Sequence, residues 1–279
     1  PKRILIIIQR SNGDVFLSIS LINELYKHYQ SPQIDLLVND DTYPLAKLLP
    51  NINFIHQFSY KKKRNNRWKQ EKAIFTSIFK RYDLSINLTA SDRSVIYALL
   101  AGKKTISAVE SENKKSWWKK ILLTYHYFFD SEKHILLNNL EPLNCLKINH
   151  SNTQKSVFLS NKIIDNVKKK LNKKGIKEFV IFHPSAQYKY KIYNQFLRDE
   201  LFTFLSTLGP SIVITGSNNK IDSEIKLNLP SLPNVFDFIS ETTLEEYFAL
   251  SSLSLAYIGM DTLNMHIAAS QNKRIFAIF

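Results

Sequence analysis

The chain has 279 residues, 44% hydrophobic and 22% charged, which suits two ordinary domains and excludes a disordered chain. Its 38 Lys and Arg against 24 Asp and Glu leave a formal charge of +14, which points to an anionic partner: nucleic acid, a phosphorylated small molecule or an anionic membrane face. A single cysteine, Cys145, excludes an internal disulfide and reads as a plain core residue, and no run approaches the roughly 20 apolar residues that span a bilayer.

Residues 4–8 are a continuous run of isoleucine and leucine, too short for the core of a secretion signal, and predict a strand buried on both faces. It stops at the turn cluster Ser11-Asn12-Gly13-Asp14, after which Val15, Ile19, Ile22, Tyr26 and Tyr29 recur at helical spacing. Further strands are expected at 34–38, around 54–55 and at 84–88, with a basic loop holding Lys61, Lys62, Lys63, Arg64, Arg67 and Lys69. A helix over 94–101 ends at Gly102. Residues 108–175 show helical pattern and few strand signals. Within them Trp117, Trp118, Ile121, Leu122, Tyr125, Phe128 and Phe129 make one apolar stripe flanked by lysines, either buried against a sheet or lying in a membrane interface. Polar loops near 149–153 place a boundary between domains 1–155 and 156–279.

The second half alternates again. Strands are expected at 179–182, 211–215, 255–258 and 274–279. Between them fall a helix with Phe196, Leu201, Phe204 and Leu205 on one side, a capping box from Thr243 to Glu246, and a helix over 262–270. The reading is two doubly wound α/β domains, with a closing segment expected after the final strand.

In such sheets ligands bind at the carboxyl ends of strands, and three of those ends carry distinctive residues. Gln9-Arg10-Ser11-Asn12-Gly13-Asp14 offers a carboxylate beside a guanidinium. Asp14 is either a helix cap or a general base, and Gly13 either a turn residue or a close approach for ligand. His183-Pro184-Ser185-Ala186 followed by Lys189 and Lys191 is an ordinary loop or a phosphate cradle. Gly259-Met260-Asp261-Thr262-Leu263-Asn264-Met265-His266 opens a helix on which Thr262 and His266 share a face, as cap and core or as a diphosphate site. No metal-binding or metal–diphosphate pattern is present, nor a P-loop, nor a nucleic-acid module to use the positive charge.

Together these three ends resemble glycosyltransferase family 9, the lipopolysaccharide heptosyltransferases. Ile258-Gly259-Met260-Asp261-Thr262-Leu263-Asn264-Met265-His266-Ile267-Ala268-Ala269 is similar to that family's apolar-Gly-x-Asp-Thr-Gly-x-x-His-apolar-x-Ala pattern, with Leu263 in place of a glycine. His183-Pro184-Ser185-Ala186 with Lys191 and Tyr193 resembles its His-Pro-Gly-Ala…Lys-Arg-Trp stretch, and Gly13-Asp14 its N-terminal Gly-Asp. The residues after Gly216 are the neutral Ser217, Asn218 and Asn219, where the family often has a carboxylate.

The resemblance implies a GT-B fold of two Rossmann-like domains facing a cleft. It also implies a cytoplasmic, inverting, metal-independent enzyme, peripheral on the inner membrane, with no cofactor. The donor would be a nucleotide-sugar, typically ADP-heptose, and the acceptor the anionic lipopolysaccharide core; nucleic acid is not expected as a partner. By motif position Asp14 is the base, and Ser185, Ala186, Lys191, Asp261, Thr262 and His266 take the donor. Arg10, Ser11, Asn12, Gly13, Lys61 and Arg64 take the acceptor. The competing expectation, motivated by Leu263, is a non-catalytic member that binds an anionic glycan or glycolipid.

Overall fold

The isoleucine run that opens the chain becomes the centre of a parallel sheet, where a strand covered on both faces needs apolar side chains at every position. A computed structural model describes residues 1–61, 63–111 and 116–279, with backbone alone for residues 63–65 and 67. It divides into two compact units, Pro1–Lys155 and Ser156–Phe279.

In the first unit β1 (Arg3–Ile8) is followed by α1 (Asn12–Phe16), α2 (Ile19–His28), β2 (Gln33–Asn39), α3 (Tyr43–Ala46) and β3 (Ile52–Phe58). Then come α4 (Lys63–Ile78), β4 (Tyr82–Asn87), α5 (Asp92–Ala101), β5 (Gly102–Val109), α6 (Trp117–Leu122), β6 (Tyr125–Phe128) and α7 (Ile135–Cys145). The strands lie in the order β3-β2-β1-β4-β5-β6, all parallel, and Ile4 to Ile8 are fully buried. Leu5, Ile7, Leu37, Phe58, Ile78 and Tyr82 form one core cluster with the inner face of α5.

The second unit runs α8 (Asn161–Lys173), β7 (Phe179–His183), α9 (Gln195–Ser206), β8 (Ser211–Ile214), α10 (Lys220–Leu227) and β9 (Val235–Asp237). It ends with α11 (Leu244–Leu253), β10 (Ala256–Met260), α12 (Leu263–Ser270) and β11 (Arg274–Ile278). Its parallel order is β11-β10-β7-β8-β9. Numbered from its own first strand, the first unit reads 3-2-1-4-5-6 and the second 3-2-1-4-5, the doubly wound order whose reversal leaves a crevice beside the first strand. The expected α/β class therefore holds, and so does the capping box: Thr243 accepts from the Glu246 N–H while Glu246 reaches back to the Thr243 N–H.

Several local expectations fail. The stripe at 114–130 is not one helix: α6 ends at Leu122, and the chain then extends into β6, which pairs with β5 through Ile106–Tyr125 to Val109–Phe128. The expected basic loop is helical from Lys63. The helical pattern after β1 breaks at Ser18, whose hydroxyl donates to the Val15 carbonyl, giving two helices instead of one. On α9 the buried face is Arg198, Phe202 and Leu205, while Phe196 and Phe204 are exposed. Cys145 is half-buried at the end of α7, its thiol pKa raised by partial burial and the nearby Glu141, so it is not a core residue.

Candidate functional site

Because every strand is parallel, all loops leaving carboxyl ends gather at one end of each sheet. In the first unit the reversal lies between β1 and β4, and the Gln9 N–H donates to the Thr89 hydroxyl at 2.9 Å, joining the two loops there. The Ser11-Asn12-Gly13-Asp14 cluster is the first turn of α1, with Ser11 as N-cap. Gly13 sits inside that helix; the positive-φ glycines are Gly175, Gly209 and Gly259, so the left-handed turn expected at Gly13 is absent.

Asp14 is not the cap. It stands three residues inside, its N–H donating to Ser11 Oγ at 3.4 Å. Its Oδ2 accepts from Ser11 Oγ at 3.1 Å and from Arg10 Nε at 3.0 Å. Arg10 in turn lies over the Phe129 ring, 4.4 Å from guanidinium carbon to centroid. From α7, Asn139 donates to the Asp14 carbonyl at 3.2 Å. The carboxylate is thus oriented from one side, with both side-chain donors on a single oxygen, and its side chain remains 15% accessible. Asn12 is exposed in the same turn. Lys61, also exposed, follows β3 at the same end of the sheet, two strands away from β1. The Arg64 side chain lies outside the described residues, as do Lys62 and the side chains of Lys63 and Arg67.

In the second unit the reversal lies between β7 and β10, which pair through Gly259 and His183. Gly259 has φ +155, and a Cβ there would sit 2.3 Å from the His183 carbonyl oxygen, so only glycine lets the strands close. His183 is buried at the centre of this end. Its Nδ1 meets Thr215 Oγ1 at 3.0 Å and Asn264 Nδ2 at 3.2 Å, and its Nε2 meets Ser185 Oγ at 3.5 Å. One ring therefore ties the ends of β7 and β8 to the first turn of α12. Burial pushes its pKa down from 6.5 to about 4, against the opposing pull of Asp222 and of its bond to Thr215, so the ring is neutral near pH 7. Asp222 is itself buried and accepts from the Ser217 N–H, the Ser217 hydroxyl and Asn219 Nδ2. It fixes the loop after Gly216 that carries no carboxylate of its own.

Thr262 caps α12, its hydroxyl accepting from the Asn264 N–H at 3.3 Å. Asp261 is exposed immediately before it, and His266 is partly buried one turn into the helix. Ser185 and Ala186 are buried beside His183, and they do not lead into a helix. A loop with a short 3-10 turn, Lys189–Lys191, intervenes before α9, and Lys191 is exposed on that turn. The structure thus groups Arg10 to Asp14 in one unit, and Ser185 with the Asp261–His266 turn in the other, at their respective reversal points. Thr215, Asn264 and Asn139 escaped the sequence reading. They lie beside strand ends or on a helix facing one, but only tertiary contacts disclose their partners.

Among the described residues no group of three or more His, Cys, Asp or Glu is placed to hold a metal ion. Among them, too, no helix is long and apolar enough to cross a membrane.

A family model described as glycosyltransferase family 9 (heptosyltransferase) matches residues 73–279. Lipopolysaccharide heptosyltransferase 3 of Escherichia coli is 25% identical over 281 aligned residues, spanning 97% of this chain and 81% of that protein. Among solved structures, a family 9 glycosyl transferase from Veillonella parvula matches with a TM-score of 0.82 at 16% identity, over 99% of this chain and 80% of its own. The ADP-heptose LPS heptosyltransferase II of E. coli matches with a TM-score of 0.74 at 20% identity, over 99% of this chain and 84% of its own. These two likenesses establish the fold, which is GT-B.

Proposed function

Because the chain belongs to glycosyltransferase family 9 (heptosyltransferase), we propose that this glycosyltransferase moves a heptose or related sugar from a nucleotide-sugar, ADP-heptose first among candidates, to the inner core of lipopolysaccharide. The transfer is inverting and needs no metal, and the enzyme works in the cytoplasm against the inner-membrane face. ADP-heptose is the donor named for the E. coli heptosyltransferase II, and lipopolysaccharide the substrate named for both E. coli relatives.

In this reading Asp14 takes the proton from the acceptor hydroxyl. The freed oxygen pair attacks the anomeric carbon as the bond from that carbon to the diphosphate oxygen breaks, so ADP departs from the opposite face and the configuration inverts. Arg10 and Ser11 hold Asp14 in aim through Oδ2. Arg10 and Lys61, with Arg64, give the anionic acceptor a positive field, and the neutral Asn12 and Gly13 line its turn beside Ser11. On the second unit the charge that develops on the leaving diphosphate is met by the positive end of α12, the Thr262 hydroxyl, His266 and Lys191, with Ser185 and Ala186 shaping the floor and Asp261 alongside.

The observation that carries the reading is the position of the motif residues. The Asp14 turn occupies the β1/β4 reversal, and the Ser185 and Thr262 turns the β7/β10 reversal, which are the ligand-binding ends of such sheets. The deciding experiment is a donor screen with purified protein and deep-rough or truncated-core lipopolysaccharide. Transfer from ADP-heptose, unchanged by EDTA and giving the inverted anomer by NMR, is the expected result. Failure with every nucleotide-heptose on every core acceptor overturns it.

A further inference from the structure

Helix α6 buries one lysine and exposes three apolar side chains. In a helix on a protein surface the lysines face water and the apolar side chains face the core. Here Lys119 is 1% exposed, while Trp117 and Ile121 are 65% and 70% exposed and Leu122 is exposed beside them. The reversal is anchored: Lys119 Nζ pairs with Asp92 Oδ1 at 2.7 Å and donates to the Ala90 carbonyl at 2.8 Å, and Trp118 packs on Val95, Val109 and Leu123. The buried lysine, tied to the exposed Asp92 carboxylate and to the Ala90 carbonyl, and the packed Trp118 therefore fix the orientation that leaves Trp117, Ile121 and Leu122 outside. Edge strand β6 extends the apolar surface through Phe128, half exposed, with Lys120 Nζ 5.0 Å from its ring centroid. Large apolar side chains held exposed on neighbouring elements beside a cation mark a contact that the chain is built to make.

Its location identifies the contact. Ala90 lies in the loop after β4 and Asp92 opens α5 at its end; that loop is joined at Thr89 to the Gln9 loop, and Phe129, next to Phe128, carries the Arg10 guanidinium that orients Asp14. The patch and the candidate base thus share one end of the first sheet. We propose that the α6–β6 face is a docking surface for an anionic lipid bilayer: Trp117, Ile121, Leu122 and Phe128 enter the acyl boundary, Lys120 meets phosphate headgroups, and the Asp14 turn is held at the depth where a lipid-anchored sugar is displayed. The chain's +14 charge complements that surface. This rests on the acceptor being a membrane glycolipid, as proposed above.

The test is co-sedimentation of the full chain with phosphatidylglycerol–phosphatidylethanolamine vesicles, without donor or acceptor, so that it reads docking independently of transfer. Wild-type protein should bind, more weakly in phosphatidylcholine and at high salt, and Trp117→Ser/Ile121→Ser should lower the partition coefficient at least tenfold. Both positions are exposed, and circular dichroism with a melting curve checks that the variant folds. The variant should keep its rate on an acyl-free core oligosaccharide and lose it on acceptor embedded in vesicles. Absence of wild-type binding, equal binding by the variant, or equal binding to phosphatidylcholine overturns the proposal. So does a wild-type dimer that Trp117→Ser/Ile121→Ser makes monomeric without changing vesicle binding, since a second copy then covers the face.

Discussion

The two units place different chemistry at the same topological point. At the β1/β4 reversal stands an ion pair, Arg10 with Asp14, at the surface and stacked on Phe129. At the β7/β10 reversal stands a buried, neutral imidazole, His183, bonded to a hydroxyl and an amide. Strand order determines where a ligand can lie, and the few residues after each strand determine what that place can do. At the first reversal the carboxylate is within reach of solvent and aimed by Arg10 and Ser11. At the centre of the second reversal the His183 ring carries no charge, and the groups suited to phosphate lie on the elements that follow its strands, Lys191 after β7 and Thr262 and His266 at the start of α12.

The sharpest way to break this contrast is Asp14→Asn, which keeps the shape and bonds to Ser11 but cannot take a proton. We expect kcat to fall by about 10²–10⁴-fold with little change in donor KM, measured by steady-state release of nucleoside diphosphate. Full turnover by the variant would remove Asp14 from the chemistry and leave it as a structural partner of Arg10 and Ser11.

The second unit depends instead on closeness of backbone. Gly259→Ala places a methyl 2.3 Å from the His183 carbonyl oxygen at φ +155, so β10 and β7 must separate. We expect a loss of about 3 kcal/mol or more, seen as a lower urea midpoint. An unchanged midpoint would mean that the reversal tolerates a wider spacing than the hydrogen bonds around His183 imply.

What the sequence disclosed follows the same division. Strands buried on both faces were legible because continuous apolar runs such as residues 4–8 have few other uses, and the strand-end rule then picked out Gly13-Asp14 and Asp261-Thr262. Edge strand β6 was hidden, since Trp117, Ile121, Tyr125 and Phe128 happen to follow helical spacing across a helix-to-strand transition. On α9 the aromatic side chains Phe196 and Phe204 suggested the wrong face, because Arg198 takes a buried place beside Phe202. The His183 hub was beyond reach: Thr215 and Asn264 lie 32 and 81 residues from it, and no local pattern joins them.

The neutral state of His183 makes the second unit sensitive to acid. Its pKa is near 6.5 when unfolded and about 4 when folded. Above pH 6.5 neither state is protonated and the stability is fully present. As pH falls from 6.5 to 4 the unfolded chain takes up a proton that the folded one refuses, and stability is lost, by about 3 kcal/mol across that window. Urea midpoints for wild type and His183→Asn between pH 4 and 7 check this: the variant should be less stable at pH 7 and should lose that part of the pH slope. A slope identical in both proteins would assign the acid sensitivity to other groups.

The smallest expected effect separates capping from binding. Each reversal is followed by a helix capped by a hydroxyl, Ser11 on α1 and Thr262 on α12. Thr262→Ala removes the acceptor for the Asn264 N–H and should cost about 1 kcal/mol, or roughly 2–4 °C in Tm. Glycine at an N-cap costs only a few tenths of a kcal/mol relative to threonine, so Thr262→Gly preserves the helix while deleting the hydroxyl. If Thr262 also holds the diphosphate, donor KM rises severalfold in both variants, and Thr262→Ser restores it. If KM rises in the alanine variant alone, the hydroxyl serves the helix and not the ligand, and Thr262 is then the counterpart of Ser11 rather than a donor contact.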